Sequence, residues 1–270
     1  MKISRSKFIG TSLAAAASLS LGSMGILTRA QKSHLLTLSF DDGFKNSFYR
    51  IAEIHENYGL KACLNVIATG HLKSFNAEPK WIPQNLLGDF NDWNKLKERG
   101  HEIMPHTWEH LNLTEVSVDK AKENIEKCLS HFEENLSGYT SEGAVYNFAY
   151  NASNTELEDF TLIKVSAIRT GGWLVLNGSM VNPIPVKKLP LRLGSYGYGP
   201  EFCDDYVQQQ INTFLLSEGG WVILTLHGLD DEGWGPVRGQ YLDDLLKRLV
   251  RIDHVAVVPA GEIVKQISKK

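Results

Sequence analysis

The sequence predicts an α/β fold in which a parallel sheet closes, or nearly closes, into a barrel. Short apolar runs alternate with longer segments of helical period through seven or so units, the pattern of repeated strand–helix crossovers. Once the first 30 residues are set aside, about 240 remain, which suits one large domain with a sizeable core. No internal repeat, low-complexity tract or linker divides residues 31–270.

Residues 1–30 have the composition of an export signal. Lys2, Arg5 and Lys7 precede an apolar, small-residue-rich run from Phe8 to Leu27, and "TRA" at 28–30 places small side chains at cleavage positions. The run is long enough for an uncleaved anchor, but its Ala, Ser and Gly content makes a poor lipid-facing helix. The mature chain is therefore expected to be periplasmic or extracellular, with no membrane attachment after cleavage.

The elements then follow in order. "HLLTLSF" (34–40) reads as a strand, "NSFYRIAEIHENYG" (46–59) as a helix closed by Gly59, and "KACLNVIATG" (61–70) as a strand. A helix over 92–100 ends at Gly100, and "HEIMPH" is the third strand. Residues 118–137 form a long amphipathic helix, "AVYNFAY" (144–150) a strand, 154–163 a helix and "VSAI" a strand. A Gly- and Pro-containing loop spans 171–188. "KLPLRL" (188–193) is extended, 203–217 helical, "WVILTLH" (221–227) a strand, 238–251 a helix, "HVAVVP" (254–259) a strand and 260–268 a closing helix.

Composition narrows the partner. Lys and Arg number 28 against 31 Asp and Glu, a net charge of −3 with both signs interspersed, so neither a nucleic acid nor an anionic membrane is expected. A small or uncharged ligand is. Cys63, Cys128 and Cys203 are odd in number and widely spaced, which fits neither a disulfide framework nor a Cys-rich metal site.

In a parallel barrel, chemistry gathers at the C-terminal ends of the strands. The first strand runs into "SFDDG", placing adjacent carboxylates, Asp41 and Asp42, before a glycine that permits a tight turn. Alone, this reads equally as a turn or helix cap. The third strand runs into "HTWEH", which fits the H-x-x-E-H pattern of inverted zincin proteases. That chemistry needs a continuous helix, and Pro105 before the motif and "LNLT" after it argue against one, leaving Glu109 to solvent. The seventh strand ends at His227. Two histidines and a carboxylate suit a divalent metal with open positions for water and substrate, leaving Asp41 and His227 as base and acid.

With these residues assembled, the chain resembles the polysaccharide deacetylases of carbohydrate esterase family 4, the NodB-homology domain, from about residue 36 onward. "SFDDG" is similar to the family's first motif, "GHEIMPHTWEHLNL" to its second and "LTLH" to its last. The resemblance implies a distorted (β/α)7 barrel that removes acetyl groups from N- or O-acetylated sugars using Zn²⁺ or a similar divalent ion. It also implies Asp41 as base, Asp42, His106 and His110 as metal ligands, and His227 as acid.

The third motif departs from the family's best-known pattern. Where many members carry an arginine, this chain has "YNFAYNASN" (146–154), nearer to a Phe-Ala-Tyr-Pro variant with Asn151 in the proline's place. Tyr150 is then expected to contribute a backbone N–H, and Trp234, in the polar loop after His227, a sugar platform; Trp173 is a weaker platform candidate. Asp41 lacks its usual cation, and Arg192 in "KLPLRL" is the expected substitute, ahead of Arg169. Two other functions remain open: a catalytically weak sugar-binding barrel, and a hydrolase of a small non-sugar amide.

Overall fold

The structure is a computed structural model describing residues 32–75, 82–172, 181, 182, 184 and 191–268. The expected export signal and Trp173 lie outside the described residues. Among the described residues, no helix is long and apolar enough to cross a membrane.

Strands β1 (His34–Phe40), β2 (Cys63–Val66), β3 (Glu102–Pro105) and β7 (Gly220–Leu226) form one sheet in the order β3-β2-β1-β7, and β4 (Val145–Asn147), β5 (Ala167–Gly171) and β6 (Leu191–Ser195) form a second. Every ladder is parallel. All seven residues of β1 pair with β7 along one edge. Its other edge is shared: β8 (Val255–Val257) takes His34–Leu36, and β2 takes Ser39 and Phe40.

The two sheets join at Tyr196, whose N–H donates to Ile223 and whose carbonyl accepts from Thr225, at 3.2 and 2.7 Å. The opposite seam, β3 to β4, is bridged by side chains. Asn147 Nδ2 donates to the Pro105 carbonyl, and His106 Nδ1 donates to the Asn147 carbonyl, both at 3.1 Å. The ring β1 to β7 is the (β/α)7 barrel that the resemblance implied, distorted where β8 intrudes beside β1.

Alternation of side chains along each strand divides the core in two. Leu36, Leu38, Phe40, Leu64, Val66, Val222 and Leu224 point outward and pack under helices α1 (Lys45–Glu56), α2 (Phe90–Glu98), α3 (Val118–Asn135), α4 (Thr155–Leu162), α5 (Asp204–Leu215) and α6 (Gly239–Leu249). Leu35, Cys63, Val145, Ala167, Leu193, Trp221 and Ile223 point inward and, with Ile263 and Val264 of α7 (Ala260–Ser268), fill the floor of the barrel. Each fully buried Leu, Ile or Phe contributes about 1.5–3 kcal/mol. Cys63, Cys128 and Cys203 are buried and free.

Above the floor, the inward positions turn polar. Ser39, Asn65, Asn147, Arg169, Ser195 and Thr225 are buried at the middle level. They hydrogen-bond to one another, as buried polar groups must if they are not to destabilise the fold.

Candidate active site

Asp41 and Asp42 follow β1 directly, His106 follows β3, and His227 follows β7, so all four are delivered to the same barrel mouth. The turns that carry them are unusual. Asp42, Thr107 and His110 have φ of 78°, 63° and 57°, the left-handed region that non-glycine residues rarely occupy. For β-branched Thr107 this costs on the order of 1–3 kcal/mol. Its Oγ1 accepts the His110 N–H at 3.0 Å, and its carbonyl accepts from Ala68 at 3.1 Å, which fixes the strained turn to the neighbouring loop. Gly43, at φ 91°, completes the first turn where a Cβ would stand 3.3 Å from Trp93.

"HTWEH" is therefore a non-helical loop, which removes the zincin geometry. Glu109, expected in solvent, is half-buried and accepts from Asn124 at 3.4 Å.

Asp42, His106 and His110 are all buried, and one ligand atom from each lies within 4.8 Å of the others. His106 Nε2 stands 3.5 Å and His110 Nε2 3.3 Å from Asp42 Oδ1. Because His106 donates its Nδ1–H to the Asn147 carbonyl, its Nε2 is the ring atom turned toward the carboxylate, a lone pair in the neutral ring and a donor in the charged one. Neither Asp42 oxygen accepts a hydrogen bond among the described residues. Acceptors facing each other in a buried place are reconciled only by a cation, a metal ion or an imidazolium proton. The donor set suits a divalent metal.

Asp41 is held differently. Arg169 on β5 grips it with two parallel bonds, Nη1 to Oδ1 at 2.9 Å and Nη2 to Oδ2 at 2.7 Å, with both side chains buried. Asn65 Nδ2 donates to Oδ1 at 2.8 Å, and Asn147 Nδ2 donates to Asn65 Oδ1 at 3.0 Å. Burial pushes the Asp41 carboxyl up, but the Arg169 charge, followed by His106, outweighs it and holds the group below its ordinary value. For Asp42, burial is again the largest influence, and His110 and His106 overcome it to hold the carboxyl well below the usual range.

Arg192 does not fill the role expected of it. Within the β5–β6 ladder, Arg192 pairs with Ile168 and Leu193 with Arg169, so Arg169 shares its face with Leu193 and looks into the barrel while Arg192 looks out. The Arg192 side chain is 37% exposed and bonds Glu158 of α4 at 2.9 Å, with Asp159 as a second partner. Arg192→Ala is accordingly expected to leave turnover intact and to cost no more than about 1 kcal/mol, as a partly exposed ion pair does; activity assays and thermal unfolding of the variant check this.

His227 is buried, its Nδ1 has no hydrogen-bond partner among the described residues, and Trp234 meets it edge-on at 5.6 Å between ring centres. Burial lowers its pKa, partly offset by Asp42 and Asp41. The loop bearing Trp234 is anchored to α1 by Leu229 N–H donating to Ser47 Oγ at 2.9 Å and by the ion pair between Arg50 and Asp230. Trp234 lies against Gly199, where a Cβ would approach it to 2.6 Å. Tyr150, 42% exposed with φ 58°, packs its ring 4.7 Å from that of His110. Together Asp41, His106, His110, Tyr150, Asn151, Thr225, His227 and Trp234 line a cavity of about 630 Å³.

Asn65, Asn147, Ser39 and Thr225 were not singled out from the sequence as support for the site. Each is a polar residue at an inward position of an otherwise apolar strand, which is the signal that could have found them.

A parallel barrel whose mouth joins an arginine-clamped aspartate to an Asp-His-His cluster and a buried histidine defines a class of hydrolase. Residues 28–159 match the family model described as polysaccharide deacetylase, a family whose members hydrolyse the amide or ester bonds of acetylated carbohydrates. No curated protein matches the chain. Solved structures share its fold. A putative polysaccharide deacetylase from Mycobacterium smegmatis superposes with a TM-score of 0.64 at 11% identity, covering 89% of this chain and 92% of that one. The peptidoglycan deacetylase PdaC from Bacillus subtilis gives 0.52 at 16%, covering 88% and 92%. A CE4 family pseudoenzyme from Bacillus anthracis gives 0.52 at 14%, covering 86% and 66%.

Proposed function

We propose that this chain is an exported, metal-dependent deacetylase of an acetylated polysaccharide or oligosaccharide, with Asp42, His106 and His110 holding one divalent ion, Asp41 as base and His227 as acid. The observation that carries the reading is the convergence of the three buried ligand side chains beside the Asp41–Arg169 clamp and His227 in one cavity. Two imidazoles, one carboxylate and open positions fit Zn²⁺.

A divalent ion bound there supplies Lewis acidity toward the acetyl carbonyl and makes water a better nucleophile near neutral pH. Asp41, kept ionised by Arg169, takes the proton of the attacking water on a carboxylate oxygen. The clamp on both oxygens fixes its direction. His227 donates a proton to the departing amine or alkoxide, and its lowered pKa makes the protonated ring a stronger acid for that step. Each proton-transfer group supplies about 10²- to 10⁴-fold. Trp234 offers an apolar face for a sugar ring, and the Tyr150 backbone N–H stands as a candidate donor to the developing oxyanion.

The test is acetate release from chitin, xylan and peptidoglycan fragments, with and without chelator, alongside elemental analysis. His110→Ala is expected to strip the metal at neutral pH and abolish release; stoichiometric metal in that variant would refute the ligand set. A second reading, a sugar-binding barrel with little turnover, is favoured by the likeness to a pseudoenzyme and by the altered third motif, "YNFAYNASN", which lacks the arginine that many members carry. Glycan binding without acetate release would select it.

A further inference from the structure

We infer that Asn151 is a substrate-positioning residue whose side-chain amide donates to a hydroxyl or carbonyl oxygen of the acetylated sugar. The inference rests on the proposed deacetylase reading of the cavity.

Asn151 stands at the cavity wall, and a line of hydroxyls fixes its orientation. Arg169 Nη1, which can only donate, lies 3.4 Å from Thr225 Oγ1. Thr225 therefore passes its own proton to Ser195 Oγ at 3.0 Å, and Ser195 donates to Asn151 Oδ1 at 3.1 Å, with the Thr170 carbonyl as its other acceptor at 3.2 Å. With Oδ1 accepting, Nδ2 carries two hydrogens for which no partner stands among the described residues. The amide thus presents a neutral donor beside Asp41 and His227, suited to a sugar oxygen and not to a cation.

The backbone is built for this residue. The Ala152 N–H bonds the Ala149 carbonyl at 3.1 Å around Tyr150 and Asn151, which have φ of 58° and 50°. Two successive left-handed residues make a tight turn of the mirror-image kind, which asparagine tolerates and proline, locked near −65°, cannot enter. Thr170 Oγ1 holds the Asn151 carbonyl at 3.0 Å. Replacing a proline by asparagine at this point of the motif therefore changes both the turn and what it shows to the ligand.

Two variants separate ligand contact from structure. Asn151→Gly keeps the left-handed turn and deletes the amide; Asn151→Asp keeps the shape and the acceptor toward Ser195 but removes the donor. Both are expected to raise KM for acetate release from an N-acetylglucosamine tetramer or an acetylated xylan oligomer about 10-fold, with kcat falling less than KM rises. Both are expected to weaken calorimetric binding of the same glycan by a similar factor, with thermal midpoints near wild type. An Asp variant that binds as wild type, or a Gly variant with unchanged KM and Kd, would overturn the inference. Wild-type protein that binds the tetramer without releasing acetate would refute the hydrolytic reading while the Kd comparison still decides Asn151. Wild-type protein that binds no acetylated glycan would overturn both.

Discussion

Asp41→Asn is expected to lower acetate release by about 10²- to 10⁴-fold while the protein retains its divalent ion. The asparagine keeps the volume and one acceptor for Arg169 but cannot take a proton from water. Asp41 stands outside the Asp42–His106–His110 trio, so the ligand atoms remain. Elemental analysis beside the kinetic assay checks both halves. Equal loss of metal and activity would mean that the two aspartates have exchanged roles.

Arg169→Ala is expected to be the most damaging single change to the fold near the site. It leaves the Asp41 carboxylate buried with its guanidinium removed, which costs about 3–5 kcal/mol when one partner of a buried pair is deleted. Denaturant unfolding measures it. The pH dependence should reverse sign. In the wild type, the folded-state pKa of Asp41 lies below its unfolded value, so its contribution is present above the ordinary carboxylate range, near pH 4, and is lost as pH falls through the lower folded value. Without the arginine, burial dominates and raises the folded pKa above the unfolded one. The variant is then destabilised most at neutral pH and recovers part of the deficit on acidification, while the acidic limb of its rate profile moves upward. Arg169→Lys should rescue only in part, since a point charge cannot reproduce a two-point grip.

Much of this site was legible because barrel chemistry collects at strand ends, and the strand ends were marked. Asp41, Asp42, His106 and His227 each terminate or follow an apolar run, and His110 is tied to His106 by a short loop. The arginine was misassigned for a physical reason. The apolar run "VSAI" suggested a strand ending at Ile168, whereas β5 spans Ala167–Gly171 and puts Arg169 in its middle, facing inward. Functional polar residues shorten the very apolar signal by which a strand is recognised. Arg192 and Arg169 also sit one register step apart, and in a strand one step is the difference between core and surface. The left-handed turns at Thr107 and Tyr150 had no local cue, since neither residue type favours that conformation; the surrounding contacts impose it.

The long ladder between β1 and β7 also sets the order in which the molecule can be made. Strand β1 finds its full-length partner only after Gly220–Leu226 has emerged, and such non-local pairing is slow to form. Until then β1 offers seven residues of unsatisfied, largely apolar edge, a template for pairing with other chains. Translation that stops before Gly220 would leave that edge permanently open, so truncated products of this chain should accumulate as aggregates and not as partly folded monomers.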